Sequence, residues 1–357
     1  MNILLVRLRL IGDVVFTTPV IRALRRHYPS ARLTYLVETG AAPVVADNPH
    51  LSDVIAVTHQ RGLARLADDF RLARQLRRRR FDIAIDLHGG PRSAWLTWAT
   101  RAPVRVGYDV AGRSWMYTRL VHRPRELRPR HSVENQWDLL PAVDAGFPAS
   151  PDPVADRVEM AVPSGTHAAI DARLRALGVP PGARTIVLHV SAGNPFRRWP
   201  EASFAELAAG LAGAEADRWV LITGGPSDRD AAQRVIAAAR TRAGAASSHI
   251  VDAEGLTLVE LRALFDRSAL FVGGDSGPLH VASTSDVPIV GLYGPTLAAR
   301  SAPWRPAALR TASVDAGTLP CRPCDQRVCA PGDFRCLTGV PAAAVRAAAE
   351  ELLRSER

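Results

Sequence analysis

Short aliphatic runs alternate with stretches of helical apolar spacing along most of this chain. Asn2 to Leu8 is largely aliphatic, as a strand covered on both faces should be. Val14 to Tyr28 follows with Val14, Thr17, Ile21 and Leu24 on one helical face. Strands are expected at Arg32 to Val37, Val54 to Val57, Phe81 to Leu87 and Val104 to Tyr108. Helices are expected from about Ala41, at Leu63 to Arg79, at Ser93 to Thr100 and at Ser132 to Ala145. Residues 148–165 are rich in Pro, Asp and Ser and read as a boundary, after which the pattern restarts. Strands then fall at Thr185 to Val190, Trp219 to Thr223, Ile250 to Val251, Ser268 to Val272 and Val287 to Tyr293. Helices fall at Thr166 to Leu177, Phe204 to Ala212, Asp228 to Ala239, Leu258 to Phe265 and Pro341 to Arg354.

Strands alternating with helices imply a parallel sheet wound on both faces. The expected fold class is therefore α/β, with two doubly wound domains at 1–160 and 161–357 and a last helix that could pack back on the first. Two such domains would face a central cleft at their strand C-termini, where open α/β folds bind ligands.

With 47% hydrophobic residues over 357 positions, both domains can bury a core. No run of about 18 apolar residues reads as a membrane span, and the N-terminus lacks a signal-peptide pattern, so a cytoplasmic protein is expected. The net charge of +10 comes from 45 Lys and Arg against 35 Asp and Glu. It suits an anionic membrane surface or a phosphorylated substrate. Nucleic acid is not expected, for want of a helix-turn-helix, an aromatic RNA platform or a zinc-finger spacing. Arg77 to Arg80 and the run from Arg123 to Arg130 suit phosphates or lipid head groups, or simply solvent.

The richest chemistry lies at residues 271–283, where a strand runs into Gly273-Gly274-Asp275-Ser276-Gly277 and then a helix near Pro278 carrying His280. A helix start preceded by glycines suits phosphate, because backbone N–H groups and the helix dipole both attract it. Two further turns, Ser191 to Pro200 and Gly224 to Asp228, also follow strand C-termini. Together they offer hydroxyls, the guanidinium groups of Arg197 and Arg198, and carboxylates, the groups that hold a nucleoside diphosphate. Asp13 follows Gly12 at a helix start, where it serves as a cap, as a general base, or as both. Asp228-Arg229-Asp230 has the form of a metal-binding pair but sits where helix starts favour acids anyway. All four cysteines lie in Cys321-x2-Cys324-x4-Cys329-x6-Cys336, which suits metal ligation, local disulfides or a structural clip.

Two of these motifs, in this order, resemble the glycosyltransferase family 9 heptosyltransferases of lipopolysaccharide core assembly. They are Ile3 to Pro19, containing Gly12-Asp13, and Gly274-Asp275-Ser276-Gly277-Pro278-Leu279-His280-Val281-Ala282. Gly291 to Thr296 is a further match. The resemblance implies a GT-B architecture with the acceptor on the first domain and ADP-heptose on the second. It implies inversion at the anomeric carbon, no metal and no cofactor, with Asp13 as base. Ser191, Arg197, Asp228, Asp275, Ser276, Gly277 and His280 would bind the donor. Arg197 stands where the family has a lysine before a tryptophan, and Ala192 replaces a second hydroxyl seen in some members. Gly12, Arg92 and Arg130, with Arg101, would meet the lipid A–core acceptor. The enzyme would be peripheral on the inner face of the inner membrane. The alternatives are a GT-B enzyme of another nucleotide sugar or acceptor, and a non-catalytic nucleotide-binding module. A nicotinamide oxidoreductase is disfavoured because no strand is followed by Gly-x-Gly-x-x-Gly.

Overall fold

The computed structural model describes residues 1–58, 62–122, 130–190 and 194–354. The chain divides into two units, Met1–Ala161 and Val162–Arg357.

Six parallel strands make the sheet of the first unit: β1 (Asn2–Val6), β2 (Arg32–Glu38), β3 (Asp53–Val57), β4 (Ile83–Asp86), β5 (Val104–Tyr108) and β6 (Arg119–Val121). Their order is β3-β2-β1-β4-β5-β6. The helices are α1 (Ile11–Val15), α2 (Thr18–His27), α3 (Gly62–Arg78), α4 (Pro91–Ala99), α5 (Ser132–Trp137) and α6 (Leu139–Val143). Ile3, Leu4, Leu5 and Val6 are fully buried, because β1 is paired on both sides and covered on both faces.

The second unit repeats the plan with β7 (Arg184–His189), β8 (Arg218–Thr223), β9 (Ile250–Asp252), β10 (Leu270–Gly274), β11 (Ile289–Tyr293) and β12 (Thr311–Asp315). Its order is β12-β11-β10-β7-β8-β9. The helices are α7 (Thr166–Ala176), α8 (Glu201–Ala212), α9 (Arg229–Ala243), α10 (Leu258–Phe265), α11 (Gly277–Ala282), α12 (Ala298–Ser301), α13 (Arg335–Thr338) and α14 (Ala342–Arg354). Counted from its own first strand, the second sheet has the same order as the first. In both, the chain reverses direction across the sheet beside the first strand, between β1 and β4 and between β7 and β10. Ligands bind outside the strand carboxyl ends at such a reversal.

Several elements differ from the sequence expectation. The single helix expected over Val14 to Tyr28 is two, α1 and α2, broken at Phe16 and Thr17. Pro19 has no N–H to continue a helix, and Thr17 and Thr18 turn their hydroxyls back to Val14 O and Val15 O at 2.7 and 2.8 Å. The helix expected from Ala41 is one 3₁₀ turn, Ala42–Val44, containing Pro43. Ser132 to Ala145 is likewise split into α5 and α6. Strands β6 and β12 went unpredicted. Both are edge strands, and β12 alternates exposed and half-buried positions without a large apolar run.

The last helix, allowed by the sequence to return to the first domain, packs in the second unit. There α14 covers α8, and Arg184 Nη2 donates to Leu353 O at 2.7 Å. Just ahead of it, Trp199 Nε1 donates to Val340 O at 2.9 Å.

Candidate active site

The first crevice is built by the turns after β1 and β4. Arg7, one residue past β1, is a cation in an aliphatic run and is buried. Its Nη1 donates to Leu87 O at 2.7 Å, which ties the two turns together. Its Nη2 meets Asp13 Oδ2 at 2.7 Å. Asp13 occupies the third position of α1, and the same oxygen accepts from Leu10 N at 3.3 Å. This cap-like bond and the ion pair orient the carboxylate, yet it stays 36% exposed and open to a substrate. Capping and a chemical role are thus compatible in one side chain.

His88 completes this crevice. Its Nδ1 accepts from Leu8 N at 3.3 Å, so the neutral ring carries its hydrogen on Nε2. Burial, reinforced by the Arg7 charge, pushes its pKa down to about 4. Beneath it, fully buried Asp86 accepts from His88 N and Gly89 N at 2.9 Å each, Ser93 Oγ at 3.0 Å and Tyr117 Oη at 2.6 Å. Gly89, with φ of +69°, suits a backbone that other residues rarely adopt. Asp86 thereby fixes the turn that presents His88.

The second crevice lies at the carboxyl ends of β7 and β10. Asp275 is buried and its Oδ1 lies 3.3 Å from His280 Nε2. Thr296 Oγ1 donates to its Oδ2, and Arg197 Nη1 lies 3.7 Å from the same atom. Burial alone would raise the Asp275 pKa. The His280 hydrogen bond and charge, with Arg197 and Thr296, outweigh it and hold the carboxyl down at about 2. Arg197 Nη1 also donates to Asp275 O at 2.8 Å, and its Nε donates to Gln326 Oε1 at 2.9 Å. Arg198 lies 3.7 Å from buried Asp228. Consecutive arginines therefore meet two different carboxylates expected from the sequence. Ser276 caps α11, and its buried Oγ makes no hydrogen bond.

Beside this crevice a cavity of about 400 Å³ is lined by Arg173, Gly224, Gly225, Arg229, Asp252 and Glu254, among others. The size suits a nucleoside. A Cβ on Gly224 would come within 3.2 Å of Val190 O, so glycine lets the turn after β8 fold close. Glu254 is 10% exposed, and burial, with the Asp252 charge, raises its pKa.

The remaining sequence-predicted residues are placed as follows. Ser191 lies outside the described residues, as does most of the Arg123–Arg130 run. Arg92 is bound by Asp69, with Nη2 to Oδ1 at 2.7 Å, and by Glu38 at 2.9 Å. Arg130 pairs with Asp138 and lies 3.9 Å from Glu134. Both charges are thus compensated within the first unit. Gly12 is buried inside α1. Gly273 and Gly274, expected to admit a ligand, lie within β10. A Cβ on Gly273 would stand 2.6 Å from Phe271 Cζ, so its small size serves packing.

The four cysteines are free thiols, and among the described residues no group of three or more His, Cys, Asp or Glu is arranged to hold a metal. Their segment does touch the second crevice. Gln326 accepts from both Arg197 Nε and Asn194 Nδ2 at 2.9 Å. Arg322 donates to Thr296 O at 3.1 Å, and the Phe334 ring packs on Phe196, centroids 5.3 Å apart. Arg7, His88, Glu254 and Gln326 were missed as site residues. Arg7, a charge at the end of the aliphatic run Ile3 to Val6, was the one signal available.

A model of glycosyltransferase family 9 (heptosyltransferase) matches residues 69–332. Lipopolysaccharide heptosyltransferase 3 of Escherichia coli is 28% identical over 98% of this chain and 98% of its own. Among solved structures, a glycosyl transferase family 9 protein of Veillonella parvula DSM 2008 aligns with a TM-score of 0.83 at 23% identity, over 99% of this chain and 97% of that one. ADP-heptose lps heptosyltransferase II of E. coli aligns at 0.79 and 21% identity, over 100% and 99%. The two sheets are thus the Rossmann-like units of a GT-B fold.

Proposed function

This chain belongs to glycosyltransferase family 9, the heptosyltransferases, and from that premise we propose that it transfers heptose from ADP-heptose to the lipid A-linked inner core of lipopolysaccharide. The names of its relatives supply the sugar, the donor and the acceptor class. The observation that carries the reading is Asp13, a carboxylate oriented by Arg7 and Leu10 N yet still open to solvent. That is the state a general base requires.

In the proposed step Asp13 takes the proton of an acceptor hydroxyl. The freed oxygen attacks the anomeric carbon, and the bond from that carbon to the ADP oxygen breaks with inversion. His88 Nε2–H offers a neutral donor that orients the acceptor. The negative charge left on ADP is met by Arg197 and by the hydroxyl and backbone N–H groups at Ser276 and Gly277, without a metal. Asp275 and His280 set those groups in place. Glu254 accepts from the nucleoside, and Asp228 fixes Arg198. The acceptor is lipid-linked, so the enzyme works at the cytoplasmic face of the inner membrane.

The test is ADP release from ADP-heptose with a panel of truncated lipid A–core acceptors, in EDTA, for the native protein and Asp13→Asn. The expected result is release that needs one acceptor, survives EDTA and is lost in the variant. No release with any acceptor would sink the assignment of donor and acceptor. Full activity of Asp13→Asn would sink the role of the base.

A further inference from the structure

The first unit carries an aromatic stripe that its core uses only in part: Trp95 packs against the core, while other members stand exposed. On α3, Leu66 and Phe70 are 54% and 58% exposed, although large apolar side chains normally turn inward. The Phe70 ring stands edge-on to Trp95 of α4, centroids 5.5 Å apart. Trp98, three residues on and so on the same face of α4, meets Trp115 at 5.7 Å. Trp115 lies on the 3₁₀ turn Ser114–Met116 and is 63% exposed. Three of the chain's seven tryptophans thus join Phe70 in one line across three elements.

Cations border the line. Arg101 lies over the Trp98 ring, 4.5 Å from its centroid. Arg74 and Arg77 follow Phe70 at four and seven residues and share its face of α3. Arg74, Arg77, Arg78 and Arg101 are all exposed. None of the four has an ion-pair partner among the described residues. The opposite side of α3 buries Leu72 and Leu76 in the core, so the helix holds its place without the exposed face. Among the described residues no helix is long and apolar enough to cross a membrane.

We infer that this face, Leu66, Phe70, Trp95, Trp98 and Trp115 with their flanking arginines, docks the enzyme on an anionic bilayer surface. Tryptophan suits the zone between head groups and acyl chains because its ring is apolar and its N–H is polar. Arginine stems lie along apolar surface while their heads reach lipid phosphate. Apolar contact and charge together give the two signals that stable surface binding needs. The face also leads to the chemistry, since α4 starts three residues after His88. The inference rests on the proposed lipid-linked acceptor for its purpose, but its test does not depend on turnover.

The test is co-sedimentation with vesicles of phosphatidylethanolamine, with and without one-quarter phosphatidylglycerol. Binding is expected only with the anionic lipid and should weaken at least tenfold between 50 and 500 mM salt, by screening. Phe70→Ser with Trp115→Ser should weaken it about tenfold, and Arg77→Glu with Arg78→Glu should do so independently. Both double variants should keep native ADP release with a soluble, delipidated acceptor. Native vesicle binding by both would overturn the inference. So would a concentration-dependent dimer that Phe70→Ser abolishes in a protein that ignores vesicles, since the face would then be a protein interface. Vesicle binding through the face without any ADP release would uphold the inference and count against the proposed reaction alone.

Discussion

In each crevice of this protein an arginine, an aspartate and a histidine form a trio at the same reversal of strand order, yet the two trios differ in state. Arg7, Asp13 and His88 leave the carboxylate 36% exposed and the histidine neutral. Arg197, Asp275 and His280 bury the carboxylate and surround it with donors. A buried aspartate with a pKa near 2, held by His280, Thr296 and the Arg197 charge, is a poor base, because it holds protons too weakly. It is a good anchor, since its charge fixes Arg197, His280 and Thr296 at once. The same fold and the same residue types therefore produce a reactive group in one unit and a rigid receptor in the other. Solvent exposure decides which.

The largest effects should separate the two aspartates. Asp13→Asn is expected to lower kcat by roughly 10³-fold, as the loss of a general base does, with a smaller loss of stability than Asp275→Asn, because the carboxylate it removes is part-exposed although its partner Arg7 is buried. Asp275→Asn removes the buried charge on which three groups converge and should cost about 3 kcal/mol of stability. Calorimetry alongside ADP-release kinetics checks both. If Asp275→Asn melts like the native protein and only kcat falls, Asp275 is itself reactive and the contrast fails.

A smaller effect concerns pH. Burial pushes both His88 and His189 down from 6.5 to about 4. Between those values the unfolded chain binds more protons than the native state, so stability falls as pH drops through the window. Asp275 adds a separate loss only below pH 3.8, where the unfolded carboxyl protonates first. The melting temperature at pH 5 should lie roughly 5 °C below its value at pH 7. His88→Gln should flatten part of that slope. A flat profile from pH 7 to 4.5 would mean these rings are not held neutral.

What the sequence made visible here was local. The strand-to-helix turns at Gly12-Asp13 and Asp275 to His280 could be read because short-range rules of helix starts and glycine turns shape them. What escaped was assembled over distance. His88 meets Leu8 across 80 residues, and Gln326 meets Arg197 across 129. Strand order makes those meetings, and a single sequence carries strand order only weakly. Arg92 shows the opposite failure: it looked free for a substrate, but Asp69 and Glu38 hold it through contacts made by α3 and β2. The cysteine segment drew attention for its thiols, whereas its neighbours Gln326 and Arg322 make the contacts to the second crevice.

The finest test of the contrast lies in how each arginine is held. Arg7 is committed to a carboxylate, and its charge is spent inside the protein. Arg197 has its Nε held by Gln326, a neutral amide, and lies 3.7 Å from Asp275 Oδ2, whose charge His280 and Thr296 also share. A neutral tether orients a guanidinium without cancelling it, leaving positive charge for a leaving diphosphate. Gln326→Ala should therefore raise the donor KM by at least about tenfold, the worth of one hydrogen bond to a charged group, and leave kcat within twofold. Gln326→Glu keeps the tether but adds a negative charge where phosphate is expected. If charge matters more than position, it should raise KM further than alanine does. If Gln326→Glu instead matches the native KM, then orientation alone is what Gln326 contributes, and the diphosphate lies too far from this side chain to sense its charge.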